Sequence, residues 1–463
     1  MDQVDDVLER GHGPTLLTGG MREVETVVIG AGVAGLTAAR LLARAGQRVV
    51  VLEARDRIGG RTHSLREGGV VTDLGASWIH GIEDSRVHDV VRAFGMPTAE
   101  LTVGSFQPDG RPIAYHDPSG ERLSDEAAAA FAADVHSVDD QLARTIAGSA
   151  YGDSYETVVE ATLAALGWDA ERIDRVREFL RHRTEEQYGV WIADLDAHGL
   201  DDDRTDGDEV VFPQGYDELA THLADGLDVR LEHVVERVTW SAAGVTVTTR
   251  DGVLDADRAV VTVPAGVLRS GGLVIEPPLP EPVAGALSRL EMNRFEKVFL
   301  RFPRRFWADG VYAIRRQGEA GRWWHSFYDL TGLHGVPTLL TFAAGPCAEA
   351  IRDWSDEAVA ASVLASLREI HPDVPAPTDV HVTHWRDDPF ARGSYAYLTV
   401  GSTPGDHDTL ATPVGGVLHL AGEATWTDDP ATVTAALMSG HRAAERILGR
   451  AIPVADLWAP DVS

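Results

Sequence analysis

Gly30-Ala31-Gly32-Val33-Ala34-Gly35 restricts what this chain can fold into more than any other stretch of it. The run that precedes it, Val24–Ile29 (VETVVI), is β-branched and reads as a strand. Leu36, Ala39, Leu42 and Ala43 then fall at helix spacing up to Ala45, and Gly46 ends the helix. Arg48–Leu52 (RVVVL) is a second strand that closes on Glu53. Strand, glycine loop, helix and strand form a βαβ unit carrying a dinucleotide fingerprint. Gly30 permits the tight turn, Gly32 lets the backbone approach a pyrophosphate, and Gly35 lets the helix pack closely on the strand. The helix N-terminus supplies amide donors and a favourable dipole for phosphates. Glu53 stands where an acidic side chain accepts ribose hydroxyls.

The remaining chain is too long for this unit alone. Its 463 residues exceed one compact core, so the expected fold is α/β with two lobes. Residues 1–20 are acidic and glycine-containing and read as a flexible tail. The nucleotide lobe is expected to be discontinuous, built from 22–81, 207–290 and 391–450. Val234–Trp240, Gly244–Thr249 and Ala259–Val263 read as its further strands. The second lobe takes 82–206 and 291–390. Its first part reads as helical over Asp125–Val135, Gln141–Ala147 and Tyr155–Ala165, its second as aromatic strands with helices. The acidic run from Asp194 to Glu209 reads as a solvated loop.

Composition excludes several classes. With 41 basic and 72 acidic residues the formal charge is −31, which disfavours a nucleic-acid partner and favours the approach of cationic small molecules. The same acidity also serves solubility alone. A single cysteine, Cys347, rules out an intrachain disulfide and any multi-thiolate metal site, and no metal is expected. No run approaches the roughly 18 apolar residues of a membrane span, and the N-terminus lacks a basic and apolar leader pattern. The expected location is the cytoplasm. Forty of the basic residues are arginine and one is lysine, Lys297. Guanidinium replaces ammonium at solvated surfaces but not where a compact or neutral amine is needed, which singles Lys297 out.

A second glycine pair extends the ligand beyond one nucleotide. Ala54-Arg55-Asp56-Arg57-Ile58-Gly59-Gly60-Arg61-Thr62 follows Glu53 directly, and Asp73-Leu74-Gly75-Ala76-Ser77-Trp78-Ile79-His80-Gly81 follows that. Near the C-terminus come Gly393-Ser394-Tyr395-Ala396-Tyr397, Leu420-Ala421-Gly422-Glu423-Ala424-Thr425 and Pro430-Ala431-Thr432-Val433. Together these resemble the flavin amine oxidases, in the form seen in polyamine oxidases and in the catalytic domain of lysine-specific histone demethylases. The resemblance runs from residue 24 to about 450. It implies a Rossmann-type FAD-binding domain plus a substrate domain with a mixed sheet and helices, the topology shared with p-hydroxybenzoate hydroxylase.

The resemblance also implies roles. FAD would be held by Gly30, Gly32, Gly35, Glu53, Arg55, Gly60, Arg61, Gly75, Ala76, Ser77 and Trp78. Val235 would hold the adenine through its backbone, Gly422 and Glu423 would lie by the ribityl and pyrophosphate, and Thr432 and Val433 along the ring edge. Lys297, in Phe295-Glu296-Lys297-Val298-Phe299, matches the lysine joined through water to flavin N5. Tyr395 matches the aromatic wall that aligns the amine, although it also reads as an ordinary core tyrosine. Where animal monoamine oxidases carry a flavin-linked cysteine this chain has Ser394, so FAD is expected to be noncovalent. Their second cage tyrosine is here Thr432. His80 matches the active-site histidine of animal-type polyamine oxidases, with a satisfied structural histidine as the alternative. Glu185 or Glu186 would bind a distal ammonium. Asp429 would reinforce cation recognition if it points inward, and say nothing if it points to solvent.

The expected function is therefore FAD-dependent oxidation of a polyamine. It would proceed by hydride transfer to flavin N5, reduction of O2 to hydrogen peroxide, and hydrolysis of the imine to an aldehyde and a shorter amine. Oxidation of monoamines or L-amino acids is the alternative on the same scaffold, and a flavin-binding interaction protein without turnover is the third. Lys297 and Tyr395 argue against the last. Oligomeric state is left open.

Overall fold

A computed structural model describes residues 23–102, 112–199 and 206–459. The expected tail, and residues 200–205 of the acidic run, lie outside the described residues.

The fingerprint unit forms where expected, as strand Val24–Ile29, helix Val33–Arg44 and strand Val49–Leu52. Val24–Ile29 sits between Val49–Leu52 and Gly252–Val261, parallel to both. Asp228–Arg230 extends the parallel set on one side, and Leu418–Leu420 extends it on the other by pairing with Val261 and its neighbours. The first half of Gly252–Val261 turns to antiparallel pairing with Gly244–Thr249, which pairs with Val235–Ser241, and Val274–Glu276 closes that edge. One eight-stranded sheet is thus assembled from three distant parts of the sequence.

Its faces are covered differently. Helix Val33–Arg44 and the C-terminal helix Val433–Leu448 share one core, which includes Leu36, Leu42, Leu437 and Ala444. Their approach is close because Gly440 has no side chain: a Cβ there would lie 2.1 Å from the Ala34 carbonyl oxygen. The other face is buried under helix Glu281–Arg289, the short helix Ala265–Arg269 and the loop around Val414.

The second sheet has six strands in the order Asp379–Val382, Phe295–Arg301, Thr338–Ala344, Ser326–Asp329, Ala313–Arg316 and Ile113–His116. It is mixed, since the last pair is parallel and the others antiparallel. Helix Asp356–Ile370 packs on one face around Val363 and Leu367. Helices Asp125–Gly148, Tyr155–Ala165 and Ala170–Tyr188 pack together around Phe131, Val159 and Leu180. The two helices read over 125–147 are one. The polar run His136–Asp140 contains neither Gly nor Pro, so nothing stops the helix there. No helix among the described residues is long and apolar enough to cross a membrane.

Candidate active site

The two sheets face each other across a cavity of about 840 Å³ lined by both. At one end lies the fingerprint. Gly30 has φ +105°, and a Cβ on it would sit 2.6 Å from Thr262 Oγ1. Gly35 is off the cavity wall and does the packing: its Cβ would meet the Gly30 oxygen at 2.0 Å. Gly32 caps the helix without a side chain, and the first turn carries no acid, so the amide end of the helix is left for an anion. Glu53 is buried and accepts from Ala31 N at 2.7 Å and Arg55 N at 2.9 Å. Val235 opens its strand on the same wall.

The second glycine loop is drawn alongside. Gly59 N donates to Ala31 O at 2.8 Å, and Gly60 faces Gly32, 3.4 Å from where its own Cβ would stand. Arg61 Nη1 donates to Glu423 Oε1 at 2.7 Å and to Ser394 O at 3.0 Å, tying this loop to the C-terminal segment. Arg55 makes a bidentate pair with Asp388 at 2.7 and 2.6 Å. Gly422 N is held by Ser439 Oγ at 2.8 Å. Thr432 caps helix Val433–Leu448, accepting from Ala435 N at 3.0 Å, and again the first turn has no acid. Two helix N-termini, a glycine cradle and paired arginines suit an extended dinucleotide, so the residues present fit FAD.

Lys297 enters from the other sheet. Strand alternation puts Phe295 and Lys297 on the cavity side. Glu296 faces away, buried, accepting from Thr383 Oγ1, Trp385 N and Arg386 N at 2.6–3.0 Å. Lys297 Nζ donates to Gly75 O at 2.5 Å, to Asp73 O at 3.1 Å and to Ser77 Oγ. Burial pushes its ammonium down to about 8, partly opposed by the Asp73 carboxylate. Burial likewise lifts Asp73 to about 6, against hydrogen bonds from Ser64 and Tyr216. Gly75 makes this arrangement possible, since a Cβ there would lie 1.8 Å from Arg61 O; Ala76 N donates to the same oxygen at 3.1 Å.

Tyr395 lines the cavity beside Phe295, with ring centroids 5.8 Å apart. Its hydroxyl donates to Gln187 O at 2.8 Å and its amide to Asn293 Oδ1, so its ring is fixed at both ends. Burial raises its phenol. Phe342 and Tyr328 continue the aromatic wall. Trp78 has two polar neighbours: Lys297 Nζ is 5.7 Å from its ring centroid, and the His80 ring lies near-parallel with its centroid 6.4 Å away. His80 is half exposed on the wall, with Nδ1 2.5 Å from Glu209 Oε1.

The two adjacent glutamates separate. Glu186 reaches the wall, but its carboxylate is already engaged, by Tyr328 OH at 2.7 Å, His325 Nε2 at 2.8 Å and Arg315 at 3.7 Å. Burial opposes its charge, but His325 and Arg315 outweigh burial and hold it down to about 2. Glu185 is not on the wall, because consecutive helical residues point about 100° apart, and burial lifts it to about 7. It groups with His182 and His325, whose rings stack face to face at 3.8 Å. Parallel rings aim their lone pairs side by side rather than at one point, and Arg315 stands beside them, which is unfavourable for a metal cation. Asp429 lies on the wall in a strained turn, with φ +48° there and +66° at Ala431. Its backbone oxygen accepts from Thr432 Oγ1 at 2.7 Å, and burial raises its carboxyl.

Sequence reasoning missed Gln187, Asn293, Tyr328, Phe342 and Glu209. Only Glu209 had a local signal, as one of a row of acids before a strand. Cys347 is buried under the second sheet and is not on the cavity wall, whereas Ser394 is.

Comparison with known proteins agrees with this geometry. Residues 33–448 match the family described as flavin containing amine oxidoreductase. Polyamine oxidase 2 of Arabidopsis thaliana is 32% identical over 442 residues, covering 92% of this chain and 88% of the relative. The human lysine-specific histone demethylase 2 is 30% identical over 95% of this chain but only 55% of its own length. The structure of a putrescine oxidase bound to putrescine superposes with a TM-score of 0.75 at 24% identity, covering 92% of this chain and 99% of that one. A fingerprint lobe, a lysine-bearing sheet and the match over 416 residues place this chain in the flavin-containing amine oxidoreductase family, as an FAD-dependent amine oxidase.

Proposed function

We propose that this enzyme oxidises polyamines. The observation that carries the reading is one aromatic-walled cavity in which His80 stands on the wall, its ring 6.4 Å from that of Trp78, with Tyr395 and Phe295 lining the same space. An amine whose reacting end is confined by Tyr395 and Phe295 can place a second nitrogen at His80; a short monoamine cannot. The Arabidopsis and rice polyamine oxidases at 30–32% identity support the same substrate class. An L-amino acid would need a cationic clamp, and two of the arginines lining the cavity, Arg55 and Arg61, are committed to Asp388 and Glu423 and do not provide one.

FAD held by the Gly30–Gly35 loop, Glu53, Gly60 and the 422–433 segment would supply the hydride acceptor for the carbon beside the substrate nitrogen and the route of those electrons to O2, with hydrogen peroxide as product. The chain's own residues position and protonate. Tyr395, fixed at both ends, and Phe295 confine the reacting amine. Lys297, on the wall with an ammonium lowered towards neutrality, is suited in its neutral form to accept a hydrogen bond from the water that hydrolyses the imine to an aldehyde and a shorter amine. His80 accepts a hydrogen bond from a remote substrate nitrogen. The test is peroxide release across spermine, spermidine, putrescine, benzylamine and L-amino acids. Polyamines should show the highest kcat/KM, by about tenfold or more; a preference for a monoamine or an amino acid would overturn the reading.

FAD is held without a covalent bond in this reading, because Ser394 offers no thiol and Cys347 is sealed in a core. Acid precipitation should release all of the yellow colour into the supernatant. Flavin retained in the pellet would refute this.

A further inference from the structure

His80 has a partner that no motif suggested. Strand Trp78–Ile79 pairs antiparallel with Val210–Val211, Trp78 opposite Val211 and Ile79 opposite Val210. One more step of the same register sets Glu209 across from His80. The side chains meet, with Glu209 Oε1 2.5 Å from His80 Nδ1. The histidine ring is 48% exposed on the cavity wall, whereas the glutamate side chain is 0% exposed and lies behind it. Glu209 is itself anchored. Its amide donates to Thr102 Oγ1 at 3.1 Å, and its carbonyl accepts from Leu101 N at 3.0 Å.

This pairing decides what His80 can do. An ionised carboxylate only accepts, so the hydrogen of the neutral imidazole sits on Nδ1 and Nε2 keeps a bare lone pair. The opposite tautomer would confront a substrate N–H with another N–H. The parallel Trp78 ring on one side and the buried glutamate behind also leave the imidazole little freedom to turn.

We propose that Glu209 is the positioning residue that keeps His80 an acceptor for a remote substrate N–H, and that it thereby sets the preference for amines with a second nitrogen. The inference rests on the polyamine reading above. Glu209 touches no substrate; it acts through His80, as a buried carboxylate orients the histidine of a hydrolytic triad.

The experiment compares wild type, Glu209→Leu, Glu209→Gln, His80→Asn and the double variant His80→Asn/Glu209→Leu. Each is assayed as FAD-loaded enzyme on spermine and on a short monoamine, with flavin content and Tm recorded. Glu209→Leu removes the acceptor and should lower kcat/KM for spermine about 10- to 100-fold, mainly through KM, with a much smaller loss on the monoamine. Glu209→Gln retains an acceptor oxygen and should recover part of the loss, which keeps the test decisive if the leucine variant does not fold. The double variant should be no worse than His80→Asn alone, because both substitutions remove one coupled unit. Equal losses on the two amines, additive losses in the double variant, or no loss would overturn the role of Glu209 while leaving a wild-type preference for spermine intact. A wild type that prefers the monoamine would overturn both readings.

Discussion

Replacing Lys297 with methionine should leave FAD bound and slow turnover by roughly two orders of magnitude, the usual size of a lost proton-handling group. Methionine fills the same space but offers nothing to the three oxygens that now receive the ammonium, those of Asp73, Gly75 and Ser77. Rapid mixing locates the defect: anaerobic bleaching of the flavin reports the amine half-reaction, and admission of oxygen reports the other. Unchanged rates in both would remove Lys297 from the chemistry. The substitution also has a signature in stability. Burial lowers this amine to about 8 from an ordinary 10.5. Between those values the unfolded chain binds the proton and the folded chain does not, so this group makes the protein more stable as pH rises through the window. The penalty is complete below about 8 and gone above 10.5. The methionine variant should lose that rise, which pH-dependent Tm measurements would detect.

Gly75→Ala is expected to abolish flavin binding and destabilise the fold by about 3 kcal/mol, the upper end for overpacking against a rigid neighbour. The added methyl would stand 1.8 Å from Arg61 O and 2.8 Å from the Arg61 carbonyl carbon, and backbone cannot rotate aside as a side chain can. Relief requires parting the 61–63 and 74–76 segments. That breaks the hydrogen bonds of Gly75 and Ala76 to His63 and Arg61, and moves the carbonyl that holds Lys297. Gly68→Ala is the control: Gly68, unlike Gly75, has positive φ, +59°, but nothing lies within 4 Å of the added methyl, so it carries backbone strain without a clash. It should lose only about 1 kcal/mol and keep its flavin. Equal Tm losses for the two variants would mean that the neighbouring backbone yields and the clash at Gly75 costs little.

The parts of the site readable in the sequence are those whose physics is local. The fingerprint declares itself because turn, helix and strand follow within thirty residues, each with its own residue requirement. Lys297 stood out because every other basic residue is arginine, and the family resemblance gave that oddity a place. What sequence could not show is long-range pairing. Glu209 meets His80 across 129 residues, and Gln187 holds the Tyr395 hydroxyl across 208. Neither has a periodicity or motif to announce it. The choice between Glu185 and Glu186 depended on helix phase, which only the packing of Ala170–Tyr188 against the second sheet settles. The helices read separately over 125–135 and 141–147 are one, because nothing between them breaks a helix and burial of Val135, Val138 and Leu142 carries it through.

The C-terminal segment finishes what the first fifty residues begin. Leu418–Leu420 joins the parallel strands, Glu423 anchors Arg61, and Gly440 lets the last long helix lie against Ala34. On the ribosome these pieces emerge last, after nearly 400 residues of chain that contain the glycine loop they complete. Capture of FAD is therefore a closing act of biosynthesis. A chain whose translation stops before residue 418 presents a phosphate loop with its opposite wall absent, and a helix Val33–Arg44 that has lost the cover of Val433–Leu448.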